Sequence, residues 1–80
     1  MITKTQPLSH LAVGKTGKVM ALTSFGRERR RMMDLGLIAG TLVEALQKSP
    51  AGDPVAYSIR GAVIALRDED AEKVLILPLA

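Results

Sequence analysis

The sequence predicts a mainly β chain with short helices, folded as a small five-stranded barrel, closed or partly closed, with one basic helix between its first two strands. Three observations predict it. Apolar stretches of strand length recur along only 80 residues, each bounded by glycine, proline or aspartate, a spacing that builds barrels and sandwiches rather than bundles. A single longer segment, Arg27 to Leu35, carries helical rather than alternating spacing. Closure of the short strands on themselves removes the edges that an open sheet would expose.

Taken in order, Pro7 with Leu8 and Leu11 predicts one helical turn that ends by Gly14, and Lys18 to Thr23 predicts a first strand. Ser24 or Gly26 can cap a helix over Arg27 to Leu35, with Met32 and Leu35 three residues apart on one face and arginines on the other. Gly36, just past Leu35, suits the left-handed conformation that closes a helix, and Gly40-Thr41 makes a second turn. Strands follow at Thr41 to Lys48 and Val55 to Arg60, the latter with Val55, Tyr57 and Ile59 on one face. Between them Ser49 to Pro54 is a loop, because proline cannot donate to a ladder and glycine accepts positive φ. Gly61 turns the chain into a strand from Ala62 to Leu66. A short helix at about Asp68 to Lys73, capped by Asp68, leads to a last strand from Val74 to Leu77 that ends at Pro78.

Composition limits what the fold can do. The chain is expected to form one domain over residues 1–80, burying about 60% of its unfolded surface. Its only aromatics are Phe25 and Tyr57, both expected in a core otherwise built from Val, Ile, Leu, Met and Ala. Cysteine is absent, which removes disulfides and thiolate chemistry and fits a reducing cytoplasm. Met1 to Thr16 has no signal-peptide apolar region, and no stretch approaches the ~18 apolar residues of a membrane span. Net charge is +3, but its distribution says more. Arg27, Arg29, Arg30 and Arg31 concentrate positive charge, while Asp68, Glu69, Asp70 and Glu72 concentrate negative charge near the other end.

Catalysis finds no support. Gly14-Lys15-Thr16 matches the tail of a phosphate-binding loop, but Ser9 stands where its first glycine is required, and strand-like residues follow where a helix must begin. His10 is the only histidine, and the acids at 68 to 72 lack the alternation of a calcium loop. No nucleophile, base and orienting group can be assembled. The expectation is a non-enzyme with no catalytic residue, no cofactor and no metal site of its own.

The run Arg29-Arg30-Arg31-Met32-Met33-Asp34-Leu35-Gly36-Leu37-Ile38-Ala39-Gly40-Thr41 resembles the signature of the FeoA family, small accessory proteins of bacterial ferrous iron uptake. Leu8-Ser9-His10-Leu11 with Gly14 and Gly17-Lys18-Val19 resembles that family's opening, and Gly52-Asp53-Pro54-Val55 its central turn. Ile64-Ala65-Leu66-Arg67, Asp70-Ala71 and Val74-Leu75-Ile76 resemble its close. Met32 and Met33 replace the usual leucines, and Ala39 a frequent proline. The resemblance implies an SH3-like barrel, a cytoplasmic location, and a role in transition metal homeostasis through a partner, the FeoB GTPase permease that moves Fe(II).

That partner suggests how the basic helix works. Arg27, Arg29, Arg30 and Arg31 can pair with carboxylates in bidentate forks, with exposed Met33 or Leu37 as an apolar anchor. A solvated arginine face, with Glu28 pairing locally to Arg31, is the plain alternative. Nucleic-acid or peptide binding by a small barrel is the competing function, opposed by the shortage of aromatics for base stacking or a proline-rich ligand. The expectation is therefore no nucleic acid and no insertion into a membrane, with a weak homo-oligomer left open. Leu75, Leu77 and Leu79 alternate as either the inner face of the last strand or a surface for self-association.

Overall fold

The computed structural model describes residues 4–79 as a mainly β fold. A two-residue strand β1 (Gln6–Pro7) leads through a 3-10 turn at Leu8–His10 to β2 (Thr16–Leu22), followed by helix α1 (Gly26–Asp34). The hairpins β3 (Leu42–Lys48), β4 (Val55–Ile59) and β5 (Ala62–Leu66) come next, then a one-turn helix α2 (Asp68–Ala71) and β6 (Val74–Pro78). All pairings are antiparallel, in the spatial order β1-β6-β2-β3-β4-β5.

Two expectations about the sheet are corrected. Among the described residues it has six strands, not five, because Gln6–Pro7 pairs with Ile76 and Leu75 on β6, so that α1 stands between the second and third strands rather than the first two; a pair that short leaves no alternation to detect. It is also not closed: among the described residues no ladder joins β5 to β1, so β5 ends the sheet as an edge. Curvature comes from two register shifts, between Val19 and Ala21 on β2 and between Ala45 and Gln47 on β3. Each leaves one residue, Met20 or Leu46, without a partner and bends its strand, as a β-bulge does.

The core fills the concave side. Val19, Val43, Tyr57, Ile59 and Ile76 from the strands meet Met32 of α1 and Leu37 from its exit, all buried. The inward set on β4 is Tyr57 and Ile59, with Val55 half-buried, as its alternation predicts. On β6 the inward residues are Val74 and Ile76. Leu75 and Leu77 are half-buried on the opposite face of a strand that lies between two neighbours, so the leucine alternation is neither the inner face nor a free edge. Phe25 also departs from expectation. It precedes α1 with extended backbone, φ −131° and ψ 162°, and its side chain is 85% exposed. Tyr57 is therefore the aromatic of the core.

Turn chemistry follows the residues. Arg60 and Gly61, at φ 52° and 82°, form the two-residue connection between Ile59 and Ala62, the positive-φ pair that suits right-twisted strands. At Gly14-Lys15-Thr16 a turn enters β2 directly, with no helix to complete a phosphate loop. The start of α2 is capped from a distance. Asp68 does not cap its own helix; its N–H donates to Oδ1 of Asp53, in the loop between β3 and β4, at 2.9 Å. Asp53→Ala is expected to lower stability by about 1 kcal/mol, the ordinary cost of a lost helix cap. Urea unfolding measures it, and a loss under a few tenths of a kcal/mol would show the contact to be incidental.

Candidate functional site

Helix α1 divides the surface. Its spacing sends Met32 into the core, Arg27 and Arg31 to one flank, Arg29 and Met33 to the other, and Arg30 away from the sheet, as residues about 100° apart on a helix must lie.

The first flank is a charged cleft of about 440 Å³ between α1 and α2, lined by Arg27, Glu28, Arg31, Glu69, Asp70 and Lys73. Two ion pairs cross it. Lys73 Nζ donates to Glu28 Oε1 at 2.6 Å, and Arg31 donates to Asp70 Oδ2 at 3.4 Å. Glu28 thus pairs across the fold with Lys73 rather than locally with Arg31. The hydrogen bond to Glu28 raises the pKa of Lys73 above the ordinary lysine value. The separated basic and acidic runs of the sequence meet here, and both pairs are partly solvated, so their stabilising effect is small.

The second flank is an apolar groove of about 330 Å³ between α1 and β2. Met20, Leu22, Met33, Ile38 and Ala39 line it, with Arg29 at its margin and Leu37 in its floor. Met20 is the residue left unpaired by the bulge in β2, and bulges characteristically redirect a side chain in this way. Met20, Met33 and Ile38 are each about 40% exposed. Methionine suits an adaptable docking surface, being unbranched and polarisable. Arg29 is tethered, donating to the carbonyl of Leu22 at 3.1 Å.

Of the residues predicted to form a binding surface, Arg27, Arg29, Arg30, Arg31 and Met33 lie exposed along α1. Leu37 does not join them as an exposed anchor. It is fully buried, because its N–H bonds to Met32 as the helix closes and turns its side chain into the core. Arg29 and Arg31 already hold partners within the chain, whereas Arg27 and Arg30 make no hydrogen bond or ion pair among the described residues. Sequence reasoning missed Met20, Ile38 and Phe25. Met20 was hidden by the bulge, and Ile38 by its place in a turn. Phe25 was expected in the core, and its extended backbone just ahead of α1, which stands it off the helix, is visible only in the structure.

Among the described residues no three His, Asp or Glu side chains come together as metal ligands, and no helix is long and apolar enough to cross a membrane. What the arrangement offers is two separate surfaces: an apolar groove with the tethered Arg29 at its margin on one flank of α1, and, on the outer side and the other flank, Arg30 and Arg27, which make no hydrogen bond or ion pair among the described residues.

Residues 6–78 match the family model described as FeoA domain. A fusion protein of Fe(2+) transport protein A and Fe(2+) transporter FeoB from Porphyromonas gingivalis is 33% identical over 67 residues, 84% of this chain; the chain spans only 8% of that fusion's length. The solution structure of a FeoA-like protein from Clostridium acetobutylicum superposes with a TM-score of 0.90 at 32% identity, over 99% of this chain and 92% of the other. FeoA from Stenotrophomonas maltophilia, crystallised with zinc and described as an SH3 domain protein, gives 0.79 at 25% identity, over 89% and 88% of the two chains.

Proposed function

Since this chain belongs to the FeoA domain family, we propose that it is a cytoplasmic accessory protein of ferrous iron uptake, without enzymatic activity, which docks on a FeoB-type permease and modulates its transport of Fe(II). One observation carries the reading: the Porphyromonas gingivalis relative has both proteins in a single polypeptide. Tethering raises the effective concentration of one module at the other, which is useful to a pair that works in contact.

The docking surface is the outer side of α1. Arg27 and Arg30 offer forked donors to partner carboxylates with no internal bond to give up, and Met33 with Met20 and Ile38 offers a slot for an apolar side chain. Arg29 and Arg31 act first within the fold and contribute mainly field. Leu37 supports the groove from below.

The test is a titration of the purified chain against the soluble GTPase domain of the permease and against the whole permease in detergent, with GDP and with a non-hydrolysable GTP analogue. Saturable binding is expected, weakened about tenfold or more when Arg27 and Arg30 are both replaced by glutamine. Absence of binding in every nucleotide state would overturn the reading. Nucleic-acid binding rests on one observation, the exposed Phe25 beside the arginines, as a stacking platform. Repeating the titration with single-stranded oligonucleotides at two salt concentrations separates the two, since phosphate binding falls steeply with salt.

A further inference from the structure

Of the three methionines among the described residues, two stand in one place. Met20 and Met33 both line the groove between β2 and α1, 42% and 44% exposed, while Met32 is fully buried. They reach the groove by different routes. Met20 is the residue left without a partner at the bulge in β2, and Met33 lies one residue, about 100° around the helix, from the buried Met32.

Their thioethers set them apart from the rest of the lining. Leu22, Ile38 and Ala39 offer an oxidant only saturated carbon, whereas a methionine sulfur accepts oxygen readily. Cysteine is absent, so methionine holds all the sulfur of the chain. The groove therefore gathers both exposed sulfurs of the described residues into the surface on which an apolar side chain is to dock.

We propose, resting on the docking reading above, that Met20 and Met33 form a modification site at which a hydroperoxide closes the groove. The step is a two-electron oxygen transfer. A lone pair of the sulfur attacks one peroxide oxygen, and the O–O bond breaks as the S–O bond forms. The proton on the transferred oxygen passes through water to the departing oxygen, so that thioether and hydrogen peroxide become sulfoxide and water. Sulfur is oxidised, peroxide is reduced, and no other reactant is consumed.

The product suits the place. A sulfoxide is polar and accepts hydrogen bonds, so an apolar side chain that enters the groove must strip it of water. Arg29 stands one helical turn before Met33 on the same flank of α1, near enough for the two side chains to meet. One of its N–H groups is given to the carbonyl of Leu22, and a guanidinium carries several more for the new oxygen. Met32 keeps its thioether, because peroxide reaches it only when α1 opens from the core.

The experiment takes the full chain untreated, treated with hydrogen peroxide, and treated and then incubated with methionine sulfoxide reductases for both sulfoxide epimers. Peptide mapping by mass spectrometry reads which sulfurs carry oxygen, and titration against the permease in detergent reads docking. Met20 and Met33 are expected to gain one oxygen each well before Met32, with affinity falling about tenfold or more and returning after the reductases. A chain carrying both Met20→Leu and Met33→Leu, read as treated against untreated, should show no change on treatment, since leucine has a similar volume and no sulfur. Oxidation of Met32 as fast as Met33 would overturn the proposal and leave the docking reading standing. So would a treated chain that docks as tightly as the untreated one, or a loss that the leucine variant shares or the reductases do not reverse. An untreated chain that docks in no nucleotide state overturns the docking reading, and the proposal with it.

Discussion

Tyr57→Ala is expected to remove about 3–5 kcal/mol, the range for truncating a buried aromatic, which is a large share of the roughly 4–12 kcal/mol that a domain of this size holds in total. Tyr57 lies in the middle of β4, between Ala45 on β3 and Ile64 on β5, and is 1% exposed. No second aromatic backs it, since Phe25 stands in solvent. Urea unfolding measures the loss, and a value below about 1.5 kcal/mol would mean that neighbouring aliphatic side chains collapse into the space. The phenol also gives the fold an alkaline limit. Burial first, then the nearby charges of Asp68 and Asp53, push its pKa up from 10.0 to about 12. An unfolded chain loses that proton near pH 10 and the folded chain only near pH 12, so the unfolded state binds fewer protons between them and stability falls as pH rises through that window. Two units correspond to about 3 kcal/mol. Tyr57→Phe should remove this part of the alkaline loss, and an unchanged slope between pH 10 and 12 in that variant would assign the loss to other groups.

What the sequence made legible follows from how local each cause is. The helix and its stop, the alternation in β4, the loop from Ser49 to Pro54 and the turn at Gly61 each depend on a few adjacent residues, and each stands where its residues place it. Causes that lie far away in the chain were not legible. The cap of α2 comes from Asp53, fifteen residues before Asp68. The partner of Glu28 is Lys73 rather than its helical neighbour Arg31. Met20, left without a partner at a bulge, lines the groove, and the side chain of Leu37 was drawn inward once Gly36 reversed the chain. The arginines and Met33 could be placed on α1 from spacing alone, but which arginines are free to meet a partner depended on acids and carbonyls that only the fold brings near. Closure of the barrel was expected because closure removes edges, and β5 keeps one open.

Gly36 carries the second large effect, through backbone conformation and space together. The N–H of Gly36 bonds to the Met33 carbonyl at 2.9 Å and that of Leu37 to the Met32 carbonyl at 3.1 Å, the pair of bonds by which a left-handed residue ends a helix in a Schellman motif. Its φ is +102°, beyond the left-handed well that other residues visit. A side-chain carbon there would stand 2.7 Å from Cδ of Arg60 and 3.3 Å from Cγ2 of Ile59. The arginine stem can swing aside, but the isoleucine is part of the core and cannot. Gly36→Ala is therefore expected to lose about 2–3 kcal/mol, roughly 1–2 from the forced conformation and the rest from displaced packing. That corresponds to a fall of about 10–20 °C in Tm. Gly52→Ala separates the two causes, since Gly52 has φ +88° with nothing within 4 Å of the added carbon; it should show the conformational part alone. Equal losses in the two variants would mean that Arg60 and Ile59 yield freely. A larger loss at Gly36 would place the turn out of α1 directly against β4, so that the helix presenting Arg27, Arg30 and Met33 is held in position by the core beneath it.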